Sequence, residues 1–484
     1  MIWTRNHLMI GLTAVLVIPA LTTRPGNAQE DNSGDQTPWT VLIYGGVDSS
    51  SEEHIMPHLQ SLELLSSEGQ RGEVLLLIDR TPGHSEDYKL LGENFEDTRL
   101  FQLKNGNWHR VSGGAAFPEI DLESKFEANS GDAQTLRKFI AFGKTFAPAE
   151  KYALIVFGHG DCRSVCPDVS SPDEEHDEFD DPLYVAEMTE VLGESESVDL
   201  IWFDVCSFGS IENAYQLRPG TGQFSTAAML ATPPASSPAP MGEILEEAGI
   251  LGRSMADKDV PADGVSFGRV AVELMQQRLE QAGLGSFRES WGCYDLSTAE
   301  AVKQSVDQLA VALAEGNSKD IAERIRGEDR RPLVMNYMHR GKGSPRMWVV
   351  SPHFDLYDLA SRFSRSEECT EAVRSRARDV MTTVDRFVVA SLGGRSYRDF
   401  EPGKNGVFIV FPDGDALWRD QPQWATFDWY NPDDRGSIRY AFGKYAWCAD
   451  GAIRGNGAVE NWFELMDSWF DANDTHGGVN NYRW

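Results

Sequence analysis

The sequence predicts an α/β fold: a mostly parallel sheet flanked by helices, followed by a C-terminal mixed α+β subdomain. Short continuous apolar segments recur up to about residue 230 and stop at glycine or polar residues, as strands buried on both faces do. Segments with apolar residues at helical spacing separate them, which is the alternation expected of a parallel sheet. Beyond about residue 295 amphipathic helices dominate, so we place a domain boundary there.

The predicted strands of the N-terminal part share a continuous apolar run and a polar or glycine-containing exit. They are WTVLIYGG at 39–46, GEVLLLIDR at 72–80, KYALIVFGHG at 151–160, VDLIWFD at 198–204 and QFSTAAMLAT at 223–232. A helix capped by Asp132 precedes the third strand. Its buried face is predicted to hold Leu136, Phe139, Ile140 and Phe146. Ligands of such sheets bind beyond the carboxyl ends of the strands, so that edge is the predicted site.

The C-terminal part opens with a predicted helix in which Ser297 and Glu300 have the spacing of a capping box. A second amphipathic helix, a short apolar strand and an aromatic-rich helix follow it. These predicted elements lie at 296–316, 376–392, 406–412 and 459–471.

The first 28 residues have the pattern of an export signal, with Arg5 before an apolar core at 8–21 and the small residue Ala28 at the expected cleavage point. This predicts a secreted or periplasmic protein, and an uncleaved membrane anchor is the alternative. No later run reaches the roughly 18 apolar residues that a membrane helix needs, so no stable membrane insertion is expected after cleavage. The predicted organisation is a signal peptide at 1–28, a polar leader at 29–37, an α/β domain at 38–295 and a C-terminal subdomain at 296–484.

The formal net charge of the chain is -31. Such a charge argues against nucleic acid or an anionic membrane as a partner. A solvated acidic surface is the simplest explanation of the charge. Six cysteines in a chain of 484 residues do not form a disulfide scaffold.

Two of the predicted strands end in a reactive side chain. LIVFGHG carries His159 between two glycines, and LIWFDVC ends at Cys206. If these strands are parallel neighbours, the imidazole can accept the proton of the thiol nucleophile or stabilise its thiolate. The N–H groups of Gly160 and Cys206 would then form an oxyanion hole. Taken alone, Cys206 could be half of a disulfide and His159 an ordinary surface or core residue.

The same residues resemble the clostripain family of cysteine peptidases, in the caspase-like clan. The family has one apolar strand ending in His-Gly and another ending in Asp-x-Cys, here at 157–160 and 203–206. GSIENAYQLR resembles the family's next helix, and the similarity runs across most of residues 38–470. The resemblance implies a caspase-like sheet, a peptidase domain at 38–295 and an exported cysteine endopeptidase. Its protein or peptide substrates would be hydrolysed through an acyl-enzyme on Cys206, with His159 as the base.

The resemblance also implies that Asp204 lies in a pocket for Arg or Lys before the scissile bond. The family's second pocket carboxylate has no counterpart, because no acid lies between Thr226 and Met241. A pocket reshaped for another residue is therefore the alternative specificity. For Asp204 itself, hydrogen bonding to local backbone is the structural alternative.

The acidic segment 161–182 is predicted to be an exposed loop. Some family members cut themselves after a basic residue in this loop, and Arg163 is the candidate here, with a Cys162–Cys166 bridge to hold the cut ends. No cofactor is required, but the loop carboxylates suit calcium, on which some relatives depend; solvated charge is the simpler interpretation. These carboxylates are Asp161, Asp168, Asp173, Glu174, Glu175, Asp177, Glu178, Asp180 and Asp181.

Two other functions are compatible with the sequence. One is a non-catalytic secreted binding protein on the same scaffold, with Cys206 disulfide-bonded or inert. The other is a different acyl transfer by the same pair, such as peptide ligation or amide hydrolysis. A free, reactive Cys206 thiol would separate an enzyme from a binding protein.

Overall fold

The computed structural model describes residues 37–81, 83–85, 90–123, 125–169, 181–234, 237–252, 259–281, 289–328, 331–337, 353–411, 443, 445–453 and 456–470. The predicted signal peptide lies outside these residues, as does all of the leader except Thr37. Among the helices of the described part, none is long and apolar enough to span a bilayer.

The described strands follow one another along the chain with helices between most of them. The strands are β1 (Thr37–Gly46), β2 (Glu73–Asp79), β3 (Thr98–Lys104), β4 (Asn107–Val111), β5 (Ala149–Gly158), β6 (Ser164–Asp168), β7 (Asp181–Tyr184), β8 (Val198–Asp204), β9 (Thr226–Ala231), β10 (Ser290–Asp295), β11 (Gly327–Glu328), β12 (Arg331–Pro332), β13 (His353–Asp355), β14 (Val388–Gly393) and β15 (Phe408–Val410). The helices are α1 (Glu52–Leu65), α2 (Ala133–Phe146), α3 (Val185–Val191), α4 (Ile211–Gln216), α5 (Met241–Glu247), α6 (Gly264–Gln281), α7 (Ala299–Glu315), α8 (Lys319–Arg326), α9 (Leu356–Arg365), α10 (Glu371–Phe387), α11 (Ala446–Ala449) and α12 (Trp462–Phe470).

A nine-stranded sheet forms the centre of the fold, in the order β14-β10-β9-β8-β5-β1-β2-β3-β4. The five strands from β9 to β2 run parallel to their neighbours. Antiparallel strands complete both edges, with β10 and β14 beside β9 and with β3 and β4 beside β2. The predicted α/β class with a mostly parallel sheet is therefore confirmed.

Helices cover both faces of this sheet because the central strands are apolar on both faces. Successive side chains of a strand point to opposite sides. Leu42 and Tyr44 of β1 pack in a core with residues of α2, α4, α7 and α10. Val41 and Ile43 pack in a second core with residues of α1, α5 and α6. The continuous apolar strands of the sequence are explained by this double burial.

Two predicted helices differ from the structure at their C-terminal ends. Phe146, predicted on the buried face of α2, is 43% exposed and contacts the ring of Phe142 at the last turn. The helix predicted to reach 392 ends at Phe387, and the next residues form β14. Val388 and Val389 are β-branched, which favours a strand over a helix. The strand β14 pairs with β10 at the sheet edge.

The predicted capping box at Ser297 and Glu300 is wrong. Ser297 lies in a short 3₁₀ turn, Leu296–Thr298, that is capped by Asp295 through the Ser297 N–H. The helix α7 starts only after Thr298, which makes no side-chain cap bond. The domain boundary near residue 295 stays a prediction. The central sheet continues across it, with β14 from beyond residue 295 paired to β10 from before it.

Candidate active site

His159 and Cys206 follow two adjacent parallel strands at the same edge of the sheet. In the pairing of β5 with β8, Phe157 is opposite Asp204. Each of the two candidate residues lies two positions beyond that pair. His159 is exposed and Cys206 is half-buried. The condition set by the sequence, that the two strands be parallel neighbours, therefore holds.

A sharp turn follows Cys206. Ser207 has a φ of 58°, in the left-handed region, which costs a residue with a side chain about 1–2 kcal/mol. The turn is held by the segment after β9: Ser207 N donates to Pro234 O at 2.9 Å, and both Phe208 N and Gly209 N donate to Thr232 O. The sequence did not reveal this strained position, because no glycine marks it.

Gly160 lies against the Cys206 turn. Its partner across β6 is Val165, but the hydrogen bonds flank this pair: Asp161 N donates to Ser164 O, and Cys166 N donates to His159 O. In such a pair the central N–H points away from the partner strand. A Cβ at Gly160 would lie 2.8 Å from Val205 Cβ. Only glycine permits this approach of the two loops.

Ser50 is a neighbour of His159 that sequence reasoning missed. Ser50 Oγ lies 2.8 Å from His159 Nε2. Ser50 belongs to the turn after β1, which borders β5 on the side away from β8. Ser50 could have been found from its position after a predicted central strand, because polar residues that follow such strands lie at the sheet edge that carries the site.

Asp204, the last residue of β8, is 5% exposed. Ala239 N donates to both of its carboxylate oxygens at 3.2 Å. Burial raises the pKa of Asp204 to about 8, against the effect of this hydrogen bond. The predicted backbone contact therefore exists, although its partner is 35 residues away rather than local.

The other five cysteines differ from Cys206 in being buried. Burial raises the pKa of Cys166 and of Cys293 to about 12 and also raises the pKa of Cys162. None of the six cysteines forms a disulfide bond, so the suggested Cys162–Cys166 bridge is absent. Cys166 Sγ instead donates to Phe157 O at 3.6 Å.

The expected exposed loop at 161–182 is replaced at both ends by the hairpin of β6 and β7. Arg163 is only 6% exposed. Its carbonyl accepts hydrogen bonds from Tyr445 Oη and Val185 N, both at 3.1 Å, and its guanidinium lies over the Tyr184 ring. A protease needs an extended, accessible segment, and the backbone at Arg163 is not presented in that way in this structure.

Asp161 and Asp168, two described carboxylates of this segment, accept hydrogen bonds from backbone N–H groups. Asp161 Oδ1 accepts from Arg163 N and Ser164 N, and Asp168 Oδ2 accepts from Ser130 N. Within the described ranges, no group of three or more His, Cys, Asp or Glu side chains could hold a metal ion. The carboxylates from Asp173 to Asp180 lie outside the described residues.

The residues after the Cys206 turn connect it to the C-terminal part of the chain. Buried Glu212, in α4, accepts a hydrogen bond from Val410 N at 2.9 Å. Tyr215 Oη contacts Glu300 and Asp450 at 2.9 and 3.0 Å. Phe408 N donates to Gly209 O at 3.1 Å, three residues beyond Cys206. The motif GSIENAYQLR therefore supports the site rather than entering its chemistry.

Comparison with known proteins identifies the family of this chain. The chain matches the profile of the clostripain family over residues 43–469. It is 34% identical over 483 residues to clostripain from Hathewaya histolytica, spanning 92% of this chain and 89% of that protein.

Two solved structures are similar to this chain at 16% sequence identity. An inactive zymogen C11 protease from Parabacteroides distasonis has a TM-score of 0.51 and covers 82% of this chain and 98% of its own. A secreted C11 cysteine protease from Bacteroides thetaiotaomicron, in complex with an irreversible peptide inhibitor, has a TM-score of 0.48 and covers 80% and 98%. The first of these supports the shared fold. The profile match and the 34% identity decide the family: this chain belongs to the clostripain family and is a cysteine-type endopeptidase, a hydrolase.

Proposed function

We propose that this endopeptidase uses Cys206 as its nucleophile and His159 as its general base. The observation that carries the proposal is the register of β5 and β8, which brings both residues to one sheet edge. The Cys206 sulfur bonds to the peptide carbonyl carbon as His159 takes the thiol proton, and the amine leaves with that proton. Water then attacks the thioester, gives a proton to His159, and releases Cys206 as the thiol.

The N–H groups of Gly160 and Cys206 would stabilise the carbonyl oxygen as it gains charge. The support for Gly160 is its place in the strand pairing, which turns its N–H away from β6. One such donor is worth about 2.7–4 kcal/mol of transition-state stabilisation.

Asp204 is proposed to select Arg or Lys before the scissile bond. The carbonyl groups of Thr232 and Pro234 accept hydrogen bonds from the Cys206 turn. The sequence has no acid between Thr226 and Met241, so Asp204 is the carboxylate that remains as the candidate. Since burial raises the pKa of Asp204 to about 8, a cationic side chain must displace a proton when it binds near neutral pH. A pocket for another residue is the alternative.

Export to a secreted or periplasmic location rests on the pattern of residues 1–28. Protein or peptide substrates follow from the family, and the charge of -31 argues against nucleic acid. Self-cleavage at Arg163 would require the β6–β7 hairpin to open, and calcium binding would require carboxylates beyond Asp161 and Asp168. A non-catalytic binding role is not favoured for a member of an enzyme family.

Alkylation and peptide digestion test the dyad directly. Native protein should react with iodoacetamide at one thiol at mildly acidic pH, because the other five are buried. A peptide library should be cut by the wild type and not by Cys206→Ala or His159→Ala. Cys369→Ala, which alters a buried thiol away from the two strand ends, is the matched control and should keep both reactions.

The library digest is run with and without added calcium and after prolonged incubation, so that missing activation does not mimic inactivity. Cutting that survives in His159→Ala, or rapid alkylation that survives in Cys206→Ala, would refute the dyad. Cleavage after residues other than Arg and Lys would leave the dyad intact and reject the proposed specificity of Asp204.

A further inference from the structure

Ser50 is the side chain whose hydroxyl reaches the outer nitrogen of the His159 ring, at 2.8 Å. It lies in the turn of residues 47–51, which joins β1 to α1 at the same sheet edge. We propose that Ser50 is a positioning residue for His159, holding the ring by Nε2 so that Nδ1 serves Cys206. This inference rests on the proposed dyad.

A serine hydroxyl suits this task because it accepts hydrogen bonds as well as donating them. A base needs its lone pair on the nitrogen that faces the thiol. When Ser50 accepts from Nε2–H, the neutral ring has its lone pair at Nδ1. After Nδ1 takes the proton of Cys206, the imidazolium keeps the same Nε2–H bond, now charge-assisted and stronger. Ser50 thus favours the ion pair over the neutral pair.

The turn that carries Ser50 is anchored by buried charges. Glu52, the first residue of α1, pairs with Arg80 at 2.8 Å, and both side chains are buried. Arg80 follows β2, the neighbour of β1 on the side away from β5. Glu52 N also donates to Ser49 O at 3.2 Å. A buried ion pair holds one geometry, because leaving it would strand a charge. The turn therefore holds the backbone of Ser50 in one position beside His159.

Ser51, the next residue, provides a matched control. Its hydroxyl is buried, and within the described part of the chain it makes no hydrogen bond. It precedes α1 without a side-chain cap bond. Ser51→Ala removes one hydroxyl from the same turn, as Ser50→Ala does, but keeps the contact between Ser50 and His159.

The test measures how fast iodoacetamide alkylates Cys206 across pH, together with peptide hydrolysis, in the full chain. Ser50→Ala should lower alkylation about tenfold at mildly acidic pH, the expected effect of losing a hydrogen bond to a charged group at an exposed position. Above the pKa of a free thiol the rate should equal that of the wild type, because the thiolate then no longer needs the imidazolium. The kcat should fall by a similar factor with KM little changed.

Ser50→Thr keeps the hydroxyl and should restore both profiles, and Ser51→Ala should match the wild type. A purely structural role would lower the rates at every pH and would affect Ser51→Ala as well, which would overturn the inference. A Ser50→Ala profile identical to that of the wild type would also overturn it. His159→Ala separates the two levels of the argument: if it does not reduce alkylation at acidic pH, the dyad itself is wrong.

Discussion

Replacing Asp204 by Asn should make the protein more stable at neutral pH and less active. The carboxyl has a pKa of about 8 in the folded chain and an ordinary value of 3.8. A group whose pKa is raised by folding contributes fully to stability below its unfolded pKa, and this contribution is lost as the pH rises through the folded pKa. The wild type therefore carries a penalty that grows from about pH 4 to about pH 8.

The size of the penalty follows from the two pKa values. At about pH 7 the unfolded side chain is ionised and the folded one is protonated, across roughly three pH units, which is about 4 kcal/mol at 1.36 kcal/mol per unit. Asn has the shape of the protonated acid and can still accept from Ala239 N. The variant should gain about 4 kcal/mol at neutral pH, or about 4 °C in Tm for a chain of this length.

Thermal and denaturant unfolding at several pH values measures the gain, which should vanish near pH 4. Hydrolysis of Arg substrates should fall about tenfold to a hundredfold, the loss of a charge-assisted contact. Glu212→Gln is the matched control: Glu212 is also buried, with a pKa raised to about 7, so this variant should gain stability and keep the substrate preference. A less stable Asp204→Asn at neutral pH would show that Asp204 is ionised and structural. A gain independent of pH would show that the raised pKa is not its cause, and either result would refute the reasoning.

Two further variants test the packing of the site and a second buried group. Gly160→Ala should lower kcat at least tenfold with the fold intact, because its Cβ would lie 2.8 Å from Val205 Cβ; wild-type kinetics would mean that the two loops need not touch. Burial lowers the pKa of His353 to about 3, so the wild type should lose about 2 kcal/mol of stability relative to His353→Phe between neutral pH and about pH 5, as the unfolded histidine takes up protons. Parallel unfolding curves for the two proteins at both pH values would contradict this.

The strands that carry the site could be predicted because strands buried on both faces have a recognisable local sequence pattern. β1, β5 and β8 are apolar on both faces, so their runs are continuous and end at recognisable residues. The edge hairpin of β3 and β4 was missed, since its outer strand, NWHRV, has only two apolar residues, Trp108 and Val111, and no continuous apolar run. The order of the strands was not derivable, because it depends on pairing between distant segments.

The missed parts of the site share that non-local origin. Ser50 and His159 are 109 residues apart in the sequence, and no local pattern links them. The proposed Cys162–Cys166 bridge looked favourable from spacing alone, but the backbone of Cys166 is left-handed, with a φ of 51°. A Cβ at Gly46 would lie 2.4 Å from its Cβ, so its side chain is directed to the β1 edge instead.

The hydrogen bond from Phe408 to Gly209 links the site to a much later part of the chain. About 200 residues separate Cys206 from that partner, and a ribosome adding about 5–20 residues each second needs roughly 10–40 seconds to make them. Until then Gly209, in the turn beside Cys206, lacks the hydrogen bond from Phe408. The backbone beside the candidate nucleophile therefore stays without this hydrogen bond through most of the chain's synthesis.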